Sequence, residues 1–315
     1  MTNIKQLQEE ILTLKKKNDV IILAHYYQPI QIQEIADFLG DSLGLSRTAK
    51  EKANTEYIIF AGVDFMAETA SIINQDKHVL IPNYESCCPM AAFLTPEMVQ
   101  EFKQKYPEFP AVVYVNSTAA VKAESDICCT SSNAVKIVEK IRKDFDSNAV
   151  LFGPDANLAD YAEQISSIKC IKMPENGHCY VHSQITVDDI KSVKKKYPNA
   201  KLMVHPECIR DVRELSDFVG STSKMYNFAK ESPSEVNEFI VGTEVGLLER
   251  MAQDFPNKAF YTAKEKLICH NMKKHNLELI KYVLEHLDDK KHEVKVPFEI
   301  AKRAIKPIEK MLEYS

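Results

Sequence analysis

The sequence predicts an α/β fold of three α/β/α units related by a pseudo-threefold axis, each built on a small parallel sheet. Three observations lead to it. Short apolar runs of strand length alternate with helix-period segments along the chain, and parallel strands need crossovers that bury both sheet faces. Landmarks recur at one interval: the helix caps Thr95 and Thr186 lie 186 − 95 = 91 residues apart, the Tyr-Pro stops at Tyr106 and Tyr197 lie 197 − 106 = 91 apart, and Ser131 and Thr222 lie 222 − 131 = 91 apart. Three of the eight cysteines keep the same period, with 179 − 88 = 91 and 269 − 179 = 90. Self-similarity at a fixed period marks a repeated structural unit.

The first unit, 1–87, opens with the helix-period segment Ile4 to Leu14 and the apolar run Val20 to Ala24, which ends abruptly in His25-Tyr26-Tyr27-Gln28-Pro29. Gly40-Asp41-Ser42 then precedes an N-capped helix, and strands are expected at Tyr57–Ala61 and His78–Pro82 on either side of a helical Met66–Ala70. The second unit, 88–178, retraces this order. Thr95-Pro96-Glu97 caps a helix, Ala111–Val115 forms a strand ending in Asn116-Ser117-Thr118, a helix begins at Cys129, and strands follow at Val150–Phe152 and Ile168–Ile171. In the third unit, 179–268, Thr186 caps a helix, Lys201–Val204 leads into His205-Pro206-Glu207-Cys208, and strands follow at Phe239–Gly242 and Ala259–Thr262. The remaining 269–315 is helix-rich and is expected to pack back on the first unit as a cap.

Composition narrows the function. The 315 residues are 45% hydrophobic, carry a formal net charge of −5 and have a pI near 6.0, which argues against a general nucleic-acid binder. Lys15-Lys16-Lys17 and Lys194-Lys195-Lys196 read as solvated helix ends. The N-terminal stretch is charged and amphipathic, and no apolar run approaches the roughly 18 residues that cross a bilayer, so a cytoplasmic protein with no membrane partner is expected. In that compartment eight cysteines point to metal or redox chemistry rather than a disulfide framework.

The repeat places polar residues where open α/β sheets collect ligands, beyond the carboxyl ends of the strands. There stand His25, Tyr26 and Tyr27 in the first unit, Tyr114 and Asn116 in the second, and His205 and Glu207 in the third. A single such residue is ordinarily a hydrogen-bonded strand end, but three equivalent clusters predict a shared polar cavity. Ser42, Ser131 and Thr222 recur at helix starts; each alone reads as a cap, and together they aim three helix N-termini inward, which suits a small anionic substrate. Neither a P-loop nor a dinucleotide-binding glycine pattern is present. Cys88, Cys179 and Cys269 would meet at the axis. Structural zinc favours four ligands in close pairs, whereas a cubane iron–sulfur cluster held by three thiolates keeps one iron open as a Lewis acid suited to elimination of water. Cys87 competes with Cys88 but breaks the period, and Cys128, Cys129, Cys170 and Cys208 have no periodic partners and read as buried or incidental.

At this level of detail the chain resembles the quinolinate synthase family. The resemblance runs through Ala24-His25-Tyr26-Tyr27-Gln28, Gly40-Asp41-Ser42-Leu43, Phe65 to Ala70, Cys88-Pro89-Met90-Ala91, Tyr114-Val115-Asn116-Ser117, Val121 to Asp126, His205-Pro206-Glu207-Cys208, Gly220-Ser221-Thr222-Ser223 and Cys269-His270-Asn271-Met272-Lys273. It implies three α/β/α units around a central cluster and active site, with a 4Fe-4S cluster held by Cys88, Cys179 and Cys269. It further implies condensation of iminoaspartate with dihydroxyacetone phosphate, losing phosphate and two waters, to give quinolinate for NAD biosynthesis, the iminoaspartate coming from an aspartate-oxidising enzyme. By the same resemblance His25, Ser42, Tyr114, Asn116, Ser131, His205, Glu207 and Thr222 match substrate-binding positions. Tyr27 and Glu207, with His205, are the candidates for proton transfer. No second cysteine closely follows Cys269, so the redox-switch CxxC of some members is absent. Another iron–sulfur hydro-lyase on small carboxylates, or an iron–sulfur redox sensor, are the alternatives; a sensor would ordinarily carry a partner- or nucleic-acid-binding module, and none is visible.

Overall fold

The computed structural model describes residues 4–51 and 55–315. The first sheet region comprises α1 (Ile4–Lys17), β1 (Val20–His25), α2 (Ile30–Gln33), β2 (Phe38–Gly40), α3 (Ser42–Glu51), β3 (Tyr57–Ala61), α4 (Asp64–Ile73) and β4 (His78–Leu80). The second comprises α5 (Pro96–Lys105), β5 (Ala111–Tyr114), α6 (Ala119–Glu124), β6 (Ile127–Cys129), α7 (Ala134–Asp144), β7 (Ala149–Gly153), α8 (Ala156–Ser166) and β8 (Lys169–Lys172). The third comprises α9 (Val187–Lys196), β9 (Lys201–Val204), α10 (Arg210–Glu214), β10 (Phe218–Val219), α11 (Thr222–Glu231), β11 (Glu238–Gly242), α12 (Val245–Asp254) and β12 (Ala259–Thr262). Helices α13 (Leu277–Glu285) and α14 (Phe298–Tyr314) complete the chain.

Each sheet has four parallel strands in the same order: β2-β1-β3-β4, β6-β5-β7-β8 and β10-β9-β11-β12. The central strands β5 and β7 are buried at every residue, because helices cover both faces, so their sequences run apolar without alternation. Helix entry follows the expected chemistry at Thr95, whose hydroxyl accepts the Met98 N–H, and at Thr186, which forms a reciprocal capping box with Asp189.

The second strand of each sheet in chain order, with the short helix before it, is not visible in the hydrophobic pattern. β2, β6 and β10 are two or three residues long and lie on sheet edges, too short to show a period. The helix expected from Cys129 is corrected accordingly. Ile127–Cys129 is strand, and Asn133 Oδ1 accepts from the Thr130 N–H at 2.7 Å, closing a turn that delays α7 to Ala134.

The tail divides between two units. α13 buries Leu277, Ile280, Val283 and Leu284 in a cluster with Leu7 and Ile11 of α1. α14 instead runs along α6 and β6 of the second unit and also touches α4 and α7, burying Ala301, Ala304, Ile308 and Met311 on one face. No helix among the described residues is long and apolar enough to cross a membrane.

Candidate functional site

The carboxyl ends of the first strand in each sheet open on one cavity, lined by residues of all three units. His25, Tyr27, Ser42, Cys88, Tyr114, Asn116, Ser131, Cys179, His205, Glu207, Thr222 and Cys269 all line it, whereas Tyr26 does not and instead stacks on Tyr226 with ring centroids 5.7 Å apart. No lysine or arginine is among the lining residues, so the cavity's polar character comes from imidazoles, hydroxyls, an amide, thiols and carboxylates.

The strand ends are built alike. His25 closes β1, and its Nδ1 accepts the Tyr27 N–H at 3.2 Å; His205 follows β9, and its Nδ1 accepts the Glu207 N–H at 3.2 Å. With Nδ1 occupied as acceptor, each neutral ring carries its proton on Nε2. Burial lowers His25 to about 4, with Asp41 and Glu207 opposing, and lowers His205 to about 3, with Glu207 opposing. His205 Nε2 reaches Ser131 Oγ at 3.2 Å. The equivalent position in the second unit is Asn116, whose buried Oδ1 has no partner among the described residues. An orphaned buried acceptor facing a cavity marks a place for a ligand.

The helix-start residues differ from a simple capping role. Ser42 and Thr222 are the first residues of α3 and α11, and the caps are the residues before them: Asp41 Oδ1 accepts the Gly44 N–H at 3.0 Å, and Ser221 Oγ accepts the Lys224 N–H at 3.4 Å. Ser131 lies in the turn before α7.

Glu207 is the hub. It is buried, accepts the Tyr114 hydroxyl proton at 2.7 Å and stands 2.7 Å from His182 Nδ1. Burial alone would raise its carboxyl, but the His205 and His182 rings and the Tyr114 hydroxyl favour the carboxylate and hold it below the usual range. Burial and Glu207 together push the hydroxyls of Tyr27 and Tyr114 well above the ordinary tyrosine value, so both are protonated. Tyr27 Oη lies 2.6 Å from Thr243 Oγ1, which lies 2.8 Å from His182 Nε2. A continuous polar chain therefore joins Tyr27 to Glu207, with the His182 and His205 rings stacked at 4.4 Å.

Sequence reasoning missed His182, Thr243 and Asp41. His182 stands three residues after Cys179, but the same offsets from Cys88 and Cys269 hold Ala91 and Met272, so no periodic echo points to it. Asp41 was within reach, since it sits beside Ser42.

All eight cysteines are free among the described residues, and Cys88, Cys179 and Cys269 line the cavity from three different loops. Burial raises each thiol; for Cys88 the neighbouring Cys269 adds to this, and for Cys179 the carboxylate of Glu207 and then Cys88 do. Against burial, backbone N–H groups of Met90 and Ala91, of His182, and of Met272 and Asn271 face the three sulfurs and favour thiolates. Three converging sulfurs with amide donors fit a metal cluster. Cys179, His182 and Glu207 additionally bring one ligand atom each within 4.8 Å of one another. The remaining cysteines divide by exposure: Cys128, Cys129, Cys170 and Cys208 are buried outside the cavity lining, and Cys87 is exposed.

Three parallel-sheet α/β/α units enclosing a cavity of ionisable groups and converging thiols define an enzyme acting on a small polar substrate, with a place for a metal centre. The chain belongs to the quinolinate synthase family: residues 9–313 match the family Quinolinate synthetase A protein. It is 50% identical over 309 residues to "Quinolinate synthase" of Pyrococcus horikoshii, covering 98% of this chain and 99% of that protein. It is 48% identical over 315 residues to "Quinolinate synthase" of Pyrococcus furiosus, covering 100% of both. A further relative, "Quinolinate synthase" of Thermotoga maritima, is 46% identical over 305 residues, 97% of this chain and 98% of that protein.

Proposed function

We propose that this chain is a cytoplasmic quinolinate synthase of NAD biosynthesis, condensing iminoaspartate with dihydroxyacetone phosphate to quinolinate with release of phosphate and two waters. The observation that carries the reading is the convergence on a single cavity of a polar strand end from each unit and of the three cysteines that follow the last strand of each sheet. Cys88, Cys179 and Cys269 would hold a 4Fe-4S cluster with one iron open, which supplies Lewis acidity toward a substrate carboxylate or hydroxyl.

The chain's own groups do the rest. The Nε2–H groups of His25 and His205, the Asn116 amide and the hydroxyls of Ser42, Ser131 and Thr222 bind and orient the anionic groups. The N-termini of α3 and α11 add free N–H donors and a partial positive charge, so no side-chain cation is needed. Glu207, ionised and within a short chain of Tyr114 and His182, serves as the base, and His205 steadies the same oxygen-rich corner. Tyr27, protonated and joined to Glu207 through Thr243 and His182, serves as the acid. A carboxylate that stays charged, linked through His182 and Thr243 to a phenol that stays protonated, gives the site one group to accept a proton and another to donate one. Iminoaspartate is unstable in water, which fits delivery by an aspartate-oxidising enzyme.

The test is anaerobic reconstitution followed by an assay with oxaloacetate, ammonia and dihydroxyacetone phosphate. Quinolinate is the expected product, and a cluster-loaded sample that makes none would overturn the reading.

A further inference from the structure

We propose that Asp64, Asp155 and Glu244 are positioning residues, one per unit, that clamp the backbone of the three cysteine loops. The inference rests on the assignment of Cys88, Cys179 and Cys269 as cluster ligands. Each carboxylate stands at the start of the helix that follows the third strand of its unit's β-α sequence: Asp64 opens α4, Asp155 caps α8 and Glu244 caps α12. Each accepts the backbone N–H of the cysteine that follows its sheet's last strand: Asp64 Oδ1 from Cys88 at 3.1 Å, Asp155 Oδ2 from Cys179 at 3.1 Å and Glu244 Oε1 from Cys269 at 3.3 Å. The intervals 155 − 64 = 91 and 244 − 155 = 89 repeat the period of the cysteines themselves.

Asp155 and Glu244 are fully buried, and burying a carboxylate is costly unless its lone pairs are used. Helix capping uses only part of that capacity. Asp155 Oδ1 accepts the Leu158 N–H at 2.7 Å and Glu244 Oε2 accepts the Gly246 N–H at 2.7 Å, leaving the second oxygen of each for the cysteine. Asp64 is arranged differently, with a single Oδ1 accepting both the Phe65 N–H at 2.8 Å and the Cys88 N–H. In the third unit Lys273 adds a bond to the clamp, standing 3.1 Å from Glu244 Oε1 and donating to the Tyr27 carbonyl at 2.6 Å. Fixing a cysteine's N–H to a rigid helix start fixes the direction of its side chain. The three sulfurs are thus aimed before any cluster arrives, and the ordering cost falls on folding rather than on cluster binding.

The difference in oxygen use makes the test selective. Asn caps a helix as well as Asp does, but it has one acceptor oxygen. D155N therefore keeps the α8 cap and loses the Cys179 clamp, E244Q loses the Cys269 clamp together with the ion pair to Lys273, and D64N keeps both bonds because Oδ1 alone makes them. Wild type and the three variants are loaded anaerobically, mixed with excess ferrous chelator, and followed by loss of the brown absorbance; melting of each apoprotein is followed by circular dichroism. D155N and E244Q are expected to release iron roughly 10-fold faster than wild type, and D64N at the wild-type rate. A role confined to helix capping would leave both melting and iron release of D155N at the wild-type values, because its cap is kept. Wild-type release from D155N, or equally fast release from D64N and D155N, overturns the proposal, and these two variants decide it if E244Q does not fold. A wild-type protein that takes up no cluster instead overturns the ligand assignment, and the clamp with it.

Discussion

The Ser221 hydroxyl donates to Asp41 Oδ2 at 3.0 Å, joining the N-terminus of α11 in the third unit to that of α3 in the first. Both side chains are buried, and each also caps its own helix. The pair therefore sets two helix N-termini side by side at the cavity and presents Ser42 and Thr222 together. Ser221→Ala removes a cap and leaves the Asp41 carboxylate one partner short, so it should cost about 1–2 kcal/mol. The measurement is a fall of a few degrees in melting temperature. KM for the phosphate-bearing substrate should rise more than kcat falls, and an unchanged KM would show that the pair does not shape anion binding.

Cysteine replacement separates ligands from packing. Cys88→Ala, Cys179→Ala and Cys269→Ala should each remove the brown chromophore of the loaded protein, whereas Cys208→Ala, buried outside the cavity lining, should keep it. Iron analysis decides the matter, and wild-type iron content in any of the first three refutes the assignment.

Glu207→Gln keeps the shape of the hub and removes its charge. Loss of a positioned base ordinarily costs on the order of 100-fold or more in rate, so kcat for quinolinate formation should fall by at least that much while iron content is retained. Tyr114→Phe removes the hydroxyl that donates to Glu207 at 2.7 Å and should shift the acid limb of the rate profile upward, because the carboxylate loses a stabilising partner. A profile identical to wild type would mean that Tyr114 has no hold on Glu207.

Acid stability follows from the buried imidazoles. Burial lowers His25 to about 4, His205 to about 3 and His275 to about 4, against an unfolded value near 6.5. Below that value the unfolded chain binds protons that the folded chain refuses, so stability is complete above about pH 6.5 and falls as pH drops toward 4 and then 3. Each histidine contributes a slope of up to about 1.4 kcal/mol per pH unit. Melting temperatures of the apoprotein should decline from near pH 6.5, and His275→Gln should make the decline shallower. A flat profile down to pH 5 would contradict neutral burial.

The residues that converge on the cavity were legible because the repeat marks them. His25, Asn116 and His205 fall at equivalent points, as do Cys88, Cys179 and Cys269. The same period runs through Asp64, Asp155 and Glu244, so the clamp was detectable but hidden among ordinary acidic residues. Thr243 was not detectable. The residues before Asp64 and Asp155 are Val63 and Pro154, and its role exists only because Tyr27 and His182 arrive from 216 and 61 residues away.

By itself the sequence determined the three α/β units, the strand ends and the cysteine triplet. Those depend on local apolar periodicity and on repetition, and both are written along the chain. Only the tertiary structure decided that the tail splits, with α13 on α1 and α14 along α6 and β6, since that depends on which apolar faces the three units leave uncovered. It also decided that His182 stacks on His205 and stands 2.7 Å from Glu207, because two loops of the third unit meet there only once the chain is folded, and nothing in the sequence marks that meeting.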